Sequence, residues 1–161
     1  MSTVTVVRGN LLDSDAKYIA HQCNCVTRWA AHLAKDVFKR FPHADVYSPR
    51  IPLGYRDTPG TIKVLGDGEG QRFVIAMFAQ VYPGGSKARL ESDPDSLTSR
   101  QQHFKSCLDL VAKLPKPFDL AMAWKTGCGA AGGDWDAYMD MILEFSDNAY
   151  VDVRLYRMSG F

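Results

Sequence analysis

The sequence predicts an α/β fold, a three-layer α/β/α domain around one six-stranded mixed sheet. Three observations predict it. Apolar, β-branched runs alternate with amphipathic helical stretches along the whole chain. Their order reads β, β, α, β, β, α, β, α, β, which interleaves strands with helices. The 161 residues, 46% hydrophobic and 23% charged, suffice for one buried core, so 1–161 is read as a single domain.

Thr3 to Val7 is β-branched throughout and stops at Gly9-Asn10, a strand running into a turn. Residues 17–23 (KYIAHQC) form a second strand. Ala30, Leu33, Ala34, Val37, Phe38 and Phe41 then follow a helical period, with Lys35, Asp36, Lys39 and Arg40 on the other face. Pro42 stops that helix, and Pro49, Pro52 and Pro59 mark an ordered surface excursion up to residue 60.

Residues 61–65 and 72–80 are strands joined by Gly66-Asp67-Gly68-Glu69-Gly70, a predicted hairpin. The second of them, RFVIAMFAQ, is a nearly continuous apolar run, as in a central strand covered on both faces. Residues 82–98 are polar and form the longest loop, the predicted mobile part. Ser99 is positioned to cap a helix running to about Leu114, which Pro115 and Pro117 end. A buried-type strand spans 118–124. Asp134 caps a helix with Trp135, Tyr138, Met139, Ile142 and Phe145 on its apolar face, and 150–156 is the last strand.

Nineteen Lys and Arg against eighteen Asp and Glu give a net charge of +1. That excludes a binder of nucleic acid by charge alone, and it excludes an acidic tail. No stretch has the roughly 18–20 apolar residues of a membrane span. Met1-Ser2-Thr3-Val4 has neither a basic nor an apolar leader region, which points to a cytoplasmic or nuclear protein. Cys23, Cys25, Cys107 and Cys128 match no common zinc spacing and are read as reduced thiols; no metal or cofactor is called for.

Thr126-Gly127-Cys128-Gly129-Ala130-Ala131-Gly132-Gly133 carries the sharpest chemical signal. Its small residues let backbone N–H groups approach an anion, and the helix after Asp134 adds its positive end. A phosphate or diphosphate suits it. It is no P-loop, because no Gly-Lys-Ser/Thr follows. A tight turn with glycines chosen for packing is the other reading.

His21-Gln22-Cys23-Asn24-Cys25 is the second signal. Asn24 at a strand end suits a sugar hydroxyl. His21 reads either as an acid–base group or as a core histidine satisfied by backbone. Arg28 suits a phosphate and Trp29 a base or sugar, although Trp29 also suits docking of the following helix. Gln80 and Tyr82 end the apolar strand beside the same cleft. The loops at 21–29 and 125–134 each follow a strand and precede a helix, so both belong at the carboxyl edge of the sheet.

Together these pieces resemble a macro domain. Arg8-Gly9-Asn10-Leu11-Leu12, Ile19 to Cys25, Met77-Phe78-Ala79-Gln80 and Gly127 to Trp135 carry the resemblance, which covers nearly the whole chain. It is closest to the branch of ADP-ribose 1''-phosphate phosphatases and terminal ADP-ribose glycohydrolases.

The resemblance implies binding of ADP-ribose and hydrolysis at its distal ribose, with a non-catalytic ADP-ribose reader as the alternative. Asn10 and Leu11 would then sit near the adenine and Asn24 at the distal ribose, with His21 as a second catalytic group. Gly127, Cys128, Gly129, Ala130, Ala131 and Gly132 would hold the diphosphate, facing Arg28 and Trp29. Gln80 and Tyr82 would flank the ligand. The partner would be ADP-ribose itself or an ADP-ribosylated small molecule or protein, with nucleic acid disfavoured by the neutral charge. Two departures stand out. Residues 28–34 hold no glycine where the family is glycine-rich. Gln80 and Ala131 fall at or near the glycohydrolase lysine and its aspartate partner.

Overall fold

A computed structural model describes residues 2–158. Six strands form one sheet in the order β1-β6-β5-β2-β4-β3. They are β1 Val4–Arg8, β2 Tyr18–Cys23, β3 Ile62–Leu65, β4 Val74–Phe78, β5 Asp119–Ala123 and β6 Asp152–Arg157. All neighbours are parallel except β3, which runs antiparallel to β4 with Ile62 opposite Met77 and Leu65 opposite Val74. The 66–70 turn therefore closes a hairpin, as its glycines predict.

Helix α1 (His32–Arg40) covers one face of the sheet. Helices α3 (Leu97–Val111) and α4 (Trp135–Ala149) cover the other. A four-residue helix, α2 (Arg50–Leu53), lies inside the proline-marked excursion. The period of two along β2 sorts its side chains between the layers. Tyr18 and Ala20 enter the large cluster under α3 and α4, while Ile19 and Cys23 enter the clusters beneath α1. β4 is buried at every position, as its apolar run predicts, but it lies one strand in from the edge.

Three details differ from the sequence reading. Ser96, not Ser99, caps α3: Ser99 N–H donates to Ser96 Oγ at 2.9 Å, and Ser99 Oγ donates to Asp93 O. The 82–98 loop is pinned rather than loose. Val81 N–H and the Arg100 guanidinium both donate to Asp95, and Ser86 Oγ donates to Asp95 O. Tyr150 closes α4 in a left-handed turn (φ 57°), so the last strand begins two residues later.

One strand pairing shapes the site. β2 pairs with β4, and β5 with β6, over five residue pairs each. β2 and β5 pair only at Tyr18–Leu120 and Ile19–Ala121 and then part. The chain leaves β2 toward β4 and leaves β5 toward β6. The gap is thus a topological switch point, where open α/β sheets bind ligands.

His21 lies on the α1 face of β2, fully buried and edge-on to Phe38 at 5.6 Å. Burial pushes its pKa down from 6.5 to about 4. The unfolded chain therefore takes up a proton between about pH 6.5 and 4 that the native state refuses, and stability is lost as pH drops through that window. In denaturant titrations His21→Leu should gain on the wild type across that window, by at most about 1.4 kcal/mol per pH unit. A difference that does not vary with pH would show that His21 charges in the native state.

Candidate ligand cleft

A cleft of about 460 Å³ opens where β2 and β5 part, within the roughly 300–1,000 Å³ typical of small-molecule sites. Its walls come from the segments after β2, β4, β5 and β6. Asn24, Trp29, Gln80, Gly127, Gly129, Ala130 and Ala131 all line it, so the two loops singled out in the sequence converge. Among its described lining residues there is no Asp, Glu or Cys.

The glycine-rich loop has two kinds of glycine. A Cβ on Gly127 would lie 2.6 Å from the Tyr138 ring and 2.8 Å from Gln22 Oε1. A Cβ on Gly133 would meet Gly127 O at 2.6 Å and the same ring at 2.8 Å. These two are glycine because Tyr138 packs directly beneath the loop. A Cβ on Gly129 would meet nothing within 4 Å. The loop folds through Cys128 N–H to Lys125 O, Gly132 N–H to Gly129 O and Gly133 N–H to Gly127 O. The N–H groups of Gly129, Ala130 and Ala131 make no bond to the described protein. Across the cleft, α1 begins at His32 with no side-chain cap, and Leu33 and Ala34 of its first turn line the wall. Small alanines at 31 and 34 keep that wall low where glycine is missing.

Two buried arginines hold the walls. Arg50, 1% exposed, pairs with Asp57 at 2.5 Å. It also donates to Thr27 O at 2.8 Å and Asn24 O at 2.9 Å, fixing the segment after β2. Arg100, also 1% exposed, grips Asp95 through Nε and Nη2 at 2.9 and 2.7 Å. Its remaining N–H groups reach Tyr82 O, Gly84 O and Ala131 O, which ties the segment after β4 to the glycine-rich loop. Removing one partner of such a pair leaves a buried charge unpaired, a loss of about 3–5 kcal/mol.

Asn24 Oδ1 is committed to its own turn, accepting from Val26 N–H, Thr27 N–H and Thr27 Oγ1. Its NH2 makes no hydrogen bond within the described residues. Gln22 Nε2 donates to Gln80 Oε1 at 2.7 Å, and Gln80 Nε2 donates to Tyr82 O, so both carboxamides lie fixed in the lining. Gln22 Oε1 is buried without a partner.

Several expected residues lie outside the cleft. His21 points to the opposite side of β2, against Cys23 Sγ at 3.6 Å, and no ligand in the cleft reaches it. Asn10 accepts from Leu12 N–H and starts a 3-10 turn, and Leu11 is fully buried behind Tyr156. Arg28 is exposed away from the lining, Tyr82 contributes only its carbonyl to the bracing, and Cys128 packs on the large core. Gly132 is exposed, with φ 77°. The Cys23 and Cys25 thiols are buried, and burial pushes both pKa values up, Cys25 to about 12, which suits neither redox nor metal chemistry at neutral pH. Among the described residues no group of His, Cys, Asp and Glu is placed to hold a metal ion. Sequence reasoning had Gln22 and Lys125 within its two loops but gave neither a role, and it missed His32, Tyr47 and Tyr156; all five line the cleft.

No protein-family model matches the sequence, and no curated protein does either. The fold itself is that of macrodomains. The macrodomain of Mycobacterium tuberculosis DarG aligns with a TM-score of 0.74 over 97% of this chain and 98% of its own, at 18% identity. The macrodomain of Thermus aquaticus DarG gives 0.72 over 98% and 99%, at 19% identity. Thermosipho africanus DarTG, solved in complex with ADP-ribose, gives 0.70 over 99% of this chain and 42% of its own, at 16% identity.

The two kinds of glycine predict opposite responses. Gly127→Ala should destabilise by about 2 kcal/mol or more, from overpacking on Tyr138 and a φ of 76°. Gly129→Ala should stay within about 0.5 kcal/mol of the wild type. Equal losses in thermal or chemical unfolding would mean that Tyr138 does not support the loop.

Proposed function

We propose that this cleft binds ADP-ribose, free or attached to a larger acceptor, with the diphosphate held by main-chain donors. One observation carries the reading. Three unbonded N–H groups at 129–131 and the uncapped start of α1 flank a cleft that has no carboxylate in its described lining. Such donors favour an anion, and the absence of nearby negative charge removes the main repulsion. The apolar surfaces of Trp29, Trp124 and Tyr156 suit the flat and saturated parts of a nucleotide sugar. The ADP-ribose found with the Thermosipho africanus protein of the same fold supports this ligand class.

A second reading is a hydrolase acting at the distal ribose, releasing phosphate from a 1''-phosphate or an ADP-ribosyl group from its acceptor. The unpartnered NH2 of Asn24 favours it, as a group placed to orient water. Gln80 and Ala131 rule out covalent lysine chemistry at those positions, and His21 is too deep to assist.

Calorimetry with ADP-ribose tests the binding claim. Gly129→Glu should abolish binding and leave the melting temperature nearly unchanged, because a Cβ there meets no protein atom within 4 Å while the carboxylate brings a negative charge to the loop of free amides. Undiminished affinity would move the diphosphate elsewhere. Incubation with ADP-ribose 1''-phosphate and with an ADP-ribosylated protein separates the readings: binding without turnover supports the reader, and turnover that Asn24→Ala reduces more than affinity supports the hydrolase.

A further inference from the structure

We propose that Lys125 and His32 are the side chains that recognise diphosphate charge in this cleft, each held there by a left-handed backbone; this rests on the diphosphate-binding reading above. Three non-glycine residues among those described have a positive φ: His32 at 54°, Lys125 at 60° and Tyr150 at 57°. Tyr150 is the residue that closes α4, where its N–H donates to Ser146 O, and left-handed geometry is common at helix ends. The other two both line the cleft, one on each flank. Lys125 lies just beyond β5, and His32 opens α1 in the segment after β2.

The turn at 125 has no use for a lysine side chain. Its bonds, Thr126 N–H to Ala123 O and Cys128 N–H to Lys125 O, are purely main-chain. Glycine or asparagine would take the same conformation with less strain. What lysine adds is an ammonium group. His32 likewise adds ring nitrogens to a position that glycine would fill more easily.

Both residues are exposed, and neither side chain makes a hydrogen bond or ion pair within the described residues. By contrast, the buried Arg50 and Arg100 are each matched to a carboxylate. The third basic residue of the lining, Arg157, stacks on the Trp124 ring at 5.7 Å. Two uncommitted donors thus stand in the lining, Lys125 on the loop that carries the free amides and His32 on the segment across the cleft, and no carboxylate in the described lining competes for them. Strained backbone of this kind collects at functional sites, where the surrounding structure holds it in place.

The test measures stability and affinity together, in the intact chain. Lys125→Gly and His32→Gly should melt at the same temperature as the wild type or higher, because the strain is relieved. Each should bind ADP-ribose and ADP about tenfold more weakly, as expected for a lost charge-assisted contact, with a shallower dependence on salt. Lys125→Asn should lose affinity like Lys125→Gly, and Lys125→Arg should retain it. Affinity within about twofold of the wild type in Lys125→Gly and His32→Gly would overturn the proposal, whatever their stability. ADP and inorganic pyrophosphate serve as separate probes. Binding of these without ADP-ribose would sink the proposed function and leave the variants to judge this inference on ADP. No binding of any of the three would overturn both.

Discussion

The site exists because β2 and β5 separate after two residue pairs. Main-chain groups that would otherwise complete a ladder must find other partners at the parted ends. Buried arginines supply many of them. Arg50 satisfies carbonyls at 24 and 27, and Arg100 satisfies carbonyls at 82, 84 and 131. Each guanidinium is matched by one carboxylate, Asp57 or Asp95, so neither carries an unpaired charge into the interior. Held in this way, the walls leave the amides of 129–131 without protein partners.

That division of labour explains the charge pattern of the molecule. The structural cations Arg50 and Arg100 lie behind the walls and are paired, while the side chains of Lys125 and His32 stand in a lining with no carboxylate among its described residues. A chain with a net charge of +1 can therefore present a locally positive cleft. In the proposed mode, binding energy for an anion would come from fixed dipoles and a few side chains, so preorganisation of the loops would matter more than total charge.

Much of the fold was legible in the sequence, because the periods of two and 3.6 are strong here and glycine and proline mark the boundaries. That the glycine-rich loop and Asn24 line one cleft was legible too, since both segments follow strands and precede helices. The face of β2 was not. Tyr-Ile-Ala-His-Gln-Cys is buried on both sides, so alternation gives no sign of which neighbour faces the cleft, and His21 was weighed where Gln22 stands. The buried arginines were hidden for a different reason. Arginine is ordinarily a surface residue, and only its partners, five and seven residues away, reveal the pairing. The left-handed backbone at Lys125 and His32 leaves no trace in residue type at all.

The central claim is that main-chain donors from two separated loops grip one anion. Amide chemical-shift mapping during titration with ADP-ribose tests it most directly. The account predicts the largest shifts at Gly129, Ala130 and Ala131 together with Leu33 and Ala34, saturating at a single affinity. Shifts confined to one loop, or centred on the smaller groove between α3 and α4 at Leu108 and Phe145, would contradict it.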